Sequence, residues 1–171
     1  ADGRIAKVGS GLTGDISLVA DGCVVAPGFV DLHAHLREPG HEEAETIETG
    51  ARGAALGGYT AVIAMPNTSP TIDSAAVVRQ VLELAALANL CDVYPSAAIT
   101  VGRAGQQLAP MAELVRLGVR IFTDDGAGVQ DERLMRSALE YAGGLTHLTN
   151  GFPIVLAQHC EIESLSRGAL M

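Results

Sequence analysis

From residue 29 onward, short apolar runs alternate with stretches in which apolar residues recur every three or four positions. The runs at 29–34, 60–65, 92–99, 119–123 and 153–158 predict strands. Between them, Ala44, Ile47, Ala51 and Ala54 mark one helix, spanning 43–57, with Glu42, Glu43 and Glu45 as acids suited to its first turn. Val77, Val78, Val81, Leu82, Ala85 and Leu87 mark a second, opened by Asp73-Ser74. Met111, Leu114, Val115 and Leu117 mark a third that stops at Gly118, and Leu134, Met135, Ala138, Leu139 and Ala142 a fourth that stops at Gly143. Before residue 28 the pattern differs. Strands are predicted at 4–8, 16–19 and 23–26, with Asp21-Gly22 as a hairpin turn and Pro27-Gly28 as the boundary. Residues 1–27 therefore read as part of a small β-domain, and residues 28–171 as a second, α/β unit.

Alternating strands and helices argue for a parallel sheet covered by helices. The strand ends separate a closed barrel from an open doubly wound sheet. They carry His33 and His35, Asn67, Thr100, Asp124 and Asp125, and His159. Five successive strands ending in chemically capable residues fit a (β/α)8 TIM-type barrel, whose site is built from strand C-termini. A doubly wound sheet would place a Gly-rich phosphate loop at one switch point, and no G-x-G-x-x-G follows a strand here. A full barrel needs about 250 residues, so about five β/α units, an incomplete barrel, are expected.

The chain of 171 residues is 48% apolar, which is the composition of a globular protein with a real core. Its net charge of −9 and lack of a basic stripe exclude nucleic acid as an expected partner. No apolar run approaches the length of a membrane span, and no signal peptide or starting Met opens the sequence. The true N-terminus is thus expected to be missing. Three scattered cysteines, Cys23, Cys91 and Cys160, suit a reducing, cytoplasmic compartment.

Strand parity sorts the candidate chemistry. Phe29, Asp31, His33 and His35 share one face of the first strand, while Val30, Leu32 and Ala34 share the face suited to helices. Two imidazoles so placed either chelate one divalent metal or form a hydrogen-bonded surface pair. His159 ends the fifth strand at the same edge, where a lone histidine is commonly structural; Cys160 beside it points the other way. In Thr123-Asp124-Asp125-Gly126, Asp124 goes with Phe122, the natural helix-facing residue, so Asp125 is the better interior carboxylate. The pair could equally be a turn or cap. Arg37 offers a planar fork that suits a carboxylate, and Asn67 lies at the same mouth; either could be an ordinary loop contact. His41 and His147 read as loop residues and not ligands.

The run Pro27-Gly28-Phe29-Val30-Asp31-Leu32-His33-Ala34-His35-Leu36-Arg37-Glu38-Pro39-Gly40 closely resembles the first barrel strand of class I, bacterial-type dihydroorotases of the amidohydrolase superfamily. Glu45-Thr46-Ile47-Glu48-Thr49-Gly50, Gly57-Gly58-Tyr59-Thr60, Met65-Pro66-Asn67-Thr68 and Phe122-Thr123-Asp124-Asp125-Gly126 extend the resemblance in order over nearly the whole chain. It implies a site for two zinc ions, with His33, His35 and a bridging Asp125 as ligands and His159 on the second ion. His35, Arg37 and Asn67 would contact substrate, with Arg37 and Asn67 gripping its carboxylate. The implied reaction is the reversible cyclisation of N-carbamoyl-L-aspartate to L-dihydroorotate in pyrimidine synthesis, with zinc activating water and polarising the ring amide. Many amidohydrolases bridge their metals with a modified lysine. The single lysine here, Lys7, lies in the β segment, in keeping with Asp125 as the bridge.

The family's further zinc histidine, substrate loop and catalytic aspartate are expected beyond Met171, so no catalytic acid–base residue is assigned within the sequence. The segment Thr146–Phe152 is longer than an ordinary αβ loop. The resemblance also brings a homodimer and aspartate transcarbamoylase into view as partners. Two alternatives stand beside the leading one. Another cyclic amidohydrolase, hydantoinase- or allantoinase-like, would share the histidines but not the Arg-Glu-Pro stretch. A non-catalytic dihydroorotase-like partner of aspartate transcarbamoylase would not need an intact ligand set.

Overall fold

The computed structural model describes residues 3–166 and 168. Five strands alternate with helices: β1 Phe29–Ala34, α1 Ile47–Leu56, β2 Tyr59–Ala64, α2 Ala75–Ala88, β3 Asp92–Pro95, α3 Met111–Arg116, β4 Ile121–Phe122, α4 Glu132–Gly144, β5 Val155–Leu156 and the short α5 Glu163–Ser166. All pairings between named strands are parallel: β1 with β2, β2 with β3, and β4 with β5. The two sheets join through Ala97, just past β3. It pairs in parallel with Phe122 and exchanges backbone hydrogen bonds with Ile121 and Thr123. The strands thus follow one another in chain order with no reversal. That order suits an arc of a barrel and lacks the switch point of a doubly wound sheet.

Helices bury one face of the sheet. Ile47 and Ala51 of α1, Val78 and Val81 of α2, Met111 and Leu114 of α3, and Ala138 of α4 meet Val62, Ala97, Ile99 and Phe122 in one core. Most of these side chains are fully inaccessible. Alanines and larger branched or aromatic side chains from helices and strands alike fill this core, as close packing requires.

Several boundaries differ from the sequence expectation for physical reasons. Glu42, Glu43 and Glu45 precede α1, which starts at Ile47, so they are not first-turn acids. Thr46 caps the helix instead, in a reciprocal arrangement with Thr49. Glu42 accepts a hydrogen bond from the Gly40 N–H, which holds its carboxyl below the usual range. Helix α2 ends on Asn89 in the left-handed conformation, the role expected of glycine. Helix α4 runs through Gly143 and Gly144, because Leu145, just beyond them, is buried in the core. The chain from Thr146 to Phe152 is no loose loop. It forms a tight 3-10 turn closed by the Thr149 hydroxyl, which lies within hydrogen-bond reach of the carbonyls of Thr146 and Phe152.

Residues 3–28 form no strand among the described residues, although Asp21-Gly22 does turn, with Cys23 N–H bonded to the Ala20 carbonyl. Ile5, Val8, Ile16, Leu18, Val24 and Val25 are each more than four-fifths exposed. A strand needs a partner ladder to satisfy its backbone, and no described segment offers one here. The apolar set on β1 also lacks the expected cover: Val30 and Leu32 are more than half exposed. Among the described residues β1 is an edge strand, paired only with β2. Exposed apolar edges template association. Expressed alone, residues 1–171 are therefore predicted to self-associate; a single monomeric peak on gel filtration at micromolar concentration would contradict this.

Candidate metal centre

The end of β1 is positioned by a buried anchor. Leu36 is 5% exposed and packs against Gly50 of α1, where a Cβ would stand 2.5 Å from the leucine methyl. His35 and Arg37, on either side of it and past the end of β1, are half-buried, and Arg37 takes a left-handed conformation. Asp31 accepts a hydrogen bond from the His33 backbone N–H. The His33 and His35 rings lie 5.0 Å apart, edge to face.

The loop after β1 is tied down on two sides. Glu38 accepts a hydrogen bond from the N–H of Ile47, the first residue of α1, at 2.8 Å. Pro39 carbonyl accepts one from Ser69 N–H. Gly40, with φ +100°, lies so close to Ser69 that a Cβ would meet its carbonyl oxygen at 2.1 Å. Only glycine combines that backbone with that approach. The Arg-Glu-Pro-Gly run therefore shapes the loop, apart from anything Arg37 does with a ligand.

Asp125 comes from the far side. It follows β4 in a left-handed conformation, φ 50°, at the start of a 3-10 turn over Asp125–Ala127. Its Oδ1 lies 3.2 Å from His33 Nε2. His33, His35 and Asp125 each offer one ligand atom, and these atoms all lie within 4.8 Å of one another. Strand parity pointed to Asp125, but β4 ends at Phe122, so the left-handed turn and not the pleat delivers it. Asp124 takes the opposite role, as its parity with Phe122 implied. It is 1% exposed, and its carboxylate accepts hydrogen bonds from both the backbone N–H and the hydroxyl of Thr100.

The donor set suits a divalent cation. Tetrahedral ligands at zinc bond lengths stand about 3.3 Å apart, close to the His33–Asp125 separation. His35 Nδ1 lies 3.0 Å from Asn67 Oδ1. With Nδ1 engaged by Asn67, Nε2 is the ring nitrogen left for a metal, the usual way a neighbour orients a metal-binding imidazole. Asn67 was expected as a substrate contact; the structure adds this contact with His35. Arg37 is half-buried, in the left-handed region at φ 62°, and its guanidinium makes no ion pair among the described residues.

His159 stands nearby but apart from the three-residue group. It packs against Gly128 in the turn that follows Asp125, and its Nε2 lies 3.0 Å from Glu161 Oε2. Hydrogen bonds from Ser166 and then His159 hold the Glu161 carboxyl below its usual range. Cys160 is exposed and outside the group, and all three cysteines are free thiols. His41 pairs loosely with Glu43, and His147 Nδ1 faces the Gly144 carbonyl. Sequence reasoning passed over Arg103. It lies in the loop after β3, with Nη1 3.9 Å from Asp125 Oδ2. Its neighbours Gly102 and Gly105 signalled a loop but nothing of where the side chain goes.

Residues 22–170 match the family model described as Dihydro-orotase-like. The chain belongs to this family. Dihydro-orotase-like relatives cover nearly all of it. It is 49% identical over 176 residues to a dihydroorotase of Mycobacterium tuberculosis, across 99% of this chain and 39% of the relative. It is 47% identical over 175 residues to one of Leifsonia xyli, across 100% of this chain and 38% of the relative. It is 44% identical over 172 residues to one of Solibacter usitatus, across 99% and 38%. The chain thus spans about two-fifths the length of these dihydroorotases. No helix among the described residues is long and apolar enough to cross a membrane.

The Thr100–Asp124 pair gives a direct test of the scaffold under the site. Thr100→Val keeps the shape but removes the hydroxyl from a buried carboxylate, which should cost about 1–3 kcal/mol. Urea unfolding of the full chain checks it, and an unchanged midpoint would show that the pair is not needed.

Proposed function

We propose that this chain carries the first part of the metal site of a zinc-dependent cyclic amidohydrolase that interconverts N-carbamoyl-L-aspartate and L-dihydroorotate. The observation that carries this reading is the convergence of His33, His35 and Asp125 at the ends of strands one and four of a parallel sheet in chain order. That is where a (β/α)8 barrel builds its site, and the described strands are read as about five units of one. Residues 28–171 are assigned to this barrel, and residues 1–27 to part of a separate β-domain.

In this reading His33, His35, Asp125 and His159 would hold two divalent ions. When bound, the ions supply water of lowered pKa and polarise the amide carbonyl. The residues present do the rest. Asn67 engages His35 Nδ1 through Oδ1 and leaves its NH2 group for the substrate. Arg37, with no ion pair among the described residues, meets the substrate carboxylate with a planar fork. An uncharged ring, as in hydantoinase-type substrates, would leave that guanidinium without a purpose. The intact donor set favours an enzyme over a purely structural partner of aspartate transcarbamoylase. The acid–base group is assigned to a part of the protein outside residues 1–171, and the setting to the cytoplasm.

A protein that carries residues 1–171 together with the assigned acid–base group, loaded with zinc, should interconvert the two compounds, followed by the ultraviolet absorbance of dihydroorotate. Arg37→Met should raise KM by about 10- to 100-fold, the weight of a charge-assisted contact. Inactivity of that zinc-loaded protein would refute the reaction, and an unaltered KM would refute the role of Arg37.

A further inference from the structure

The metal reading gives Arg103 no task, yet the fold is built to place it. Its loop is fixed at three points: Gly102 N–H donates to Asp73 Oδ2 at 2.7 Å, Arg103 N–H to the Thr100 carbonyl at 2.9 Å, and Gly105 N–H to Thr100 Oγ1 at 2.9 Å. Gly102 and Arg103 both take left-handed conformations, φ 61° and 57°. For arginine that backbone is unfavourable and needs a compensating contact. From this loop the side chain reaches the turn beyond β4, where Nη1 donates to the Asp124 carbonyl at 3.3 Å. The same nitrogen lies 3.9 Å from Asp125 Oδ2, a charge contact too long to be a hydrogen bond. Nε is buried with no hydrogen-bond partner among the described residues, a burial that native folds seldom tolerate.

Asp125 needs such support. It too is left-handed, and its own turn secures it only through the Thr123 hydroxyl, at 2.9 Å from its N–H, and a 3.3 Å bond from Gly128 N–H to its carbonyl. We infer that Arg103 is a positioning residue: it clamps the Asp124 carbonyl and draws Oδ2 of Asp125 to one side, so that Oδ1 faces His33. Because the contact at Oδ2 is electrostatic and not a hydrogen bond, that oxygen keeps its lone pairs. This inference rests on the metal reading of His33, His35 and Asp125. It concerns how firmly the carboxylate is held, and not the reaction.

Co2+ titration of the full chain against a competing chelator, with the visible absorption of the bound ion, tests it in wild type, R103M and R103K. R103M is expected to bind about 10-fold more weakly or worse, as outer contacts of metal ligands usually cost, with an altered absorption band. R103K keeps the charge without the fork and should fall between R103M and wild type. The inference is overturned if R103M binds as well as or better than wild type, or if R103K recovers nothing. Should R103M fail to fold, R103K decides: weaker binding than wild type supports the inference, and equal binding overturns it. A wild-type chain that takes up no Co2+ overturns the metal reading itself, and this inference with it.

Discussion

Asp124 is the buried group on which the arrangement hangs. A carboxylate 1% exposed must have its acceptor oxygens satisfied, and Thr100 does this twice, with its N–H and its hydroxyl. The pairing fastens the end of β4, only two residues long, to the chain leaving β3. Because Asp124 is committed inward, the next residue is released outward, and the left-handed turn at Asp125 sends its carboxylate toward β1. Without the inward partner there would be no fixed point from which to aim the outward one.

The same economy governs the other side. Leu36 is committed inward against Gly50, and His35 beside it meets Asn67. Glu38 joins the loop to the start of α1, and Gly40 allows that loop to lie against Ser69, close to Asn67. The segment that carries the histidines is thereby coupled to the one that orients His35. Each candidate ligand comes from a loop or strand end, while strands and helices behind it supply rigidity.

Much of this was legible in the sequence, because it depends on local alternation. The five strands, four helices, and the face shared by His33 and His35 follow from periodicity in runs long enough to show it. The different fates of Asp124 and Asp125 also followed from parity, although the turn that completes the effect lies past the strand. What depended on distant partners was not legible. The sequence pattern could not show that Glu38 caps a helix nine residues on, that Asn67 orients His35, or that Arg103 crosses to the next loop. Nor could it show that the apolar runs before residue 28 find no ladder among the described residues, since alternation specifies a strand's faces and not its neighbours. Gly143 misled because a buried Leu145 outweighs the helix-ending tendency of glycine.

The central claim is that His33, His35 and Asp125 hold a divalent cation together. Anomalous X-ray diffraction at the zinc edge, on crystals of the full chain grown with zinc, tests it most directly. The account predicts a peak about 2.0–2.2 Å from an imidazole nitrogen of each histidine and from a carboxylate oxygen of Asp125. A zinc-replete crystal with no peak among these three side chains would contradict it.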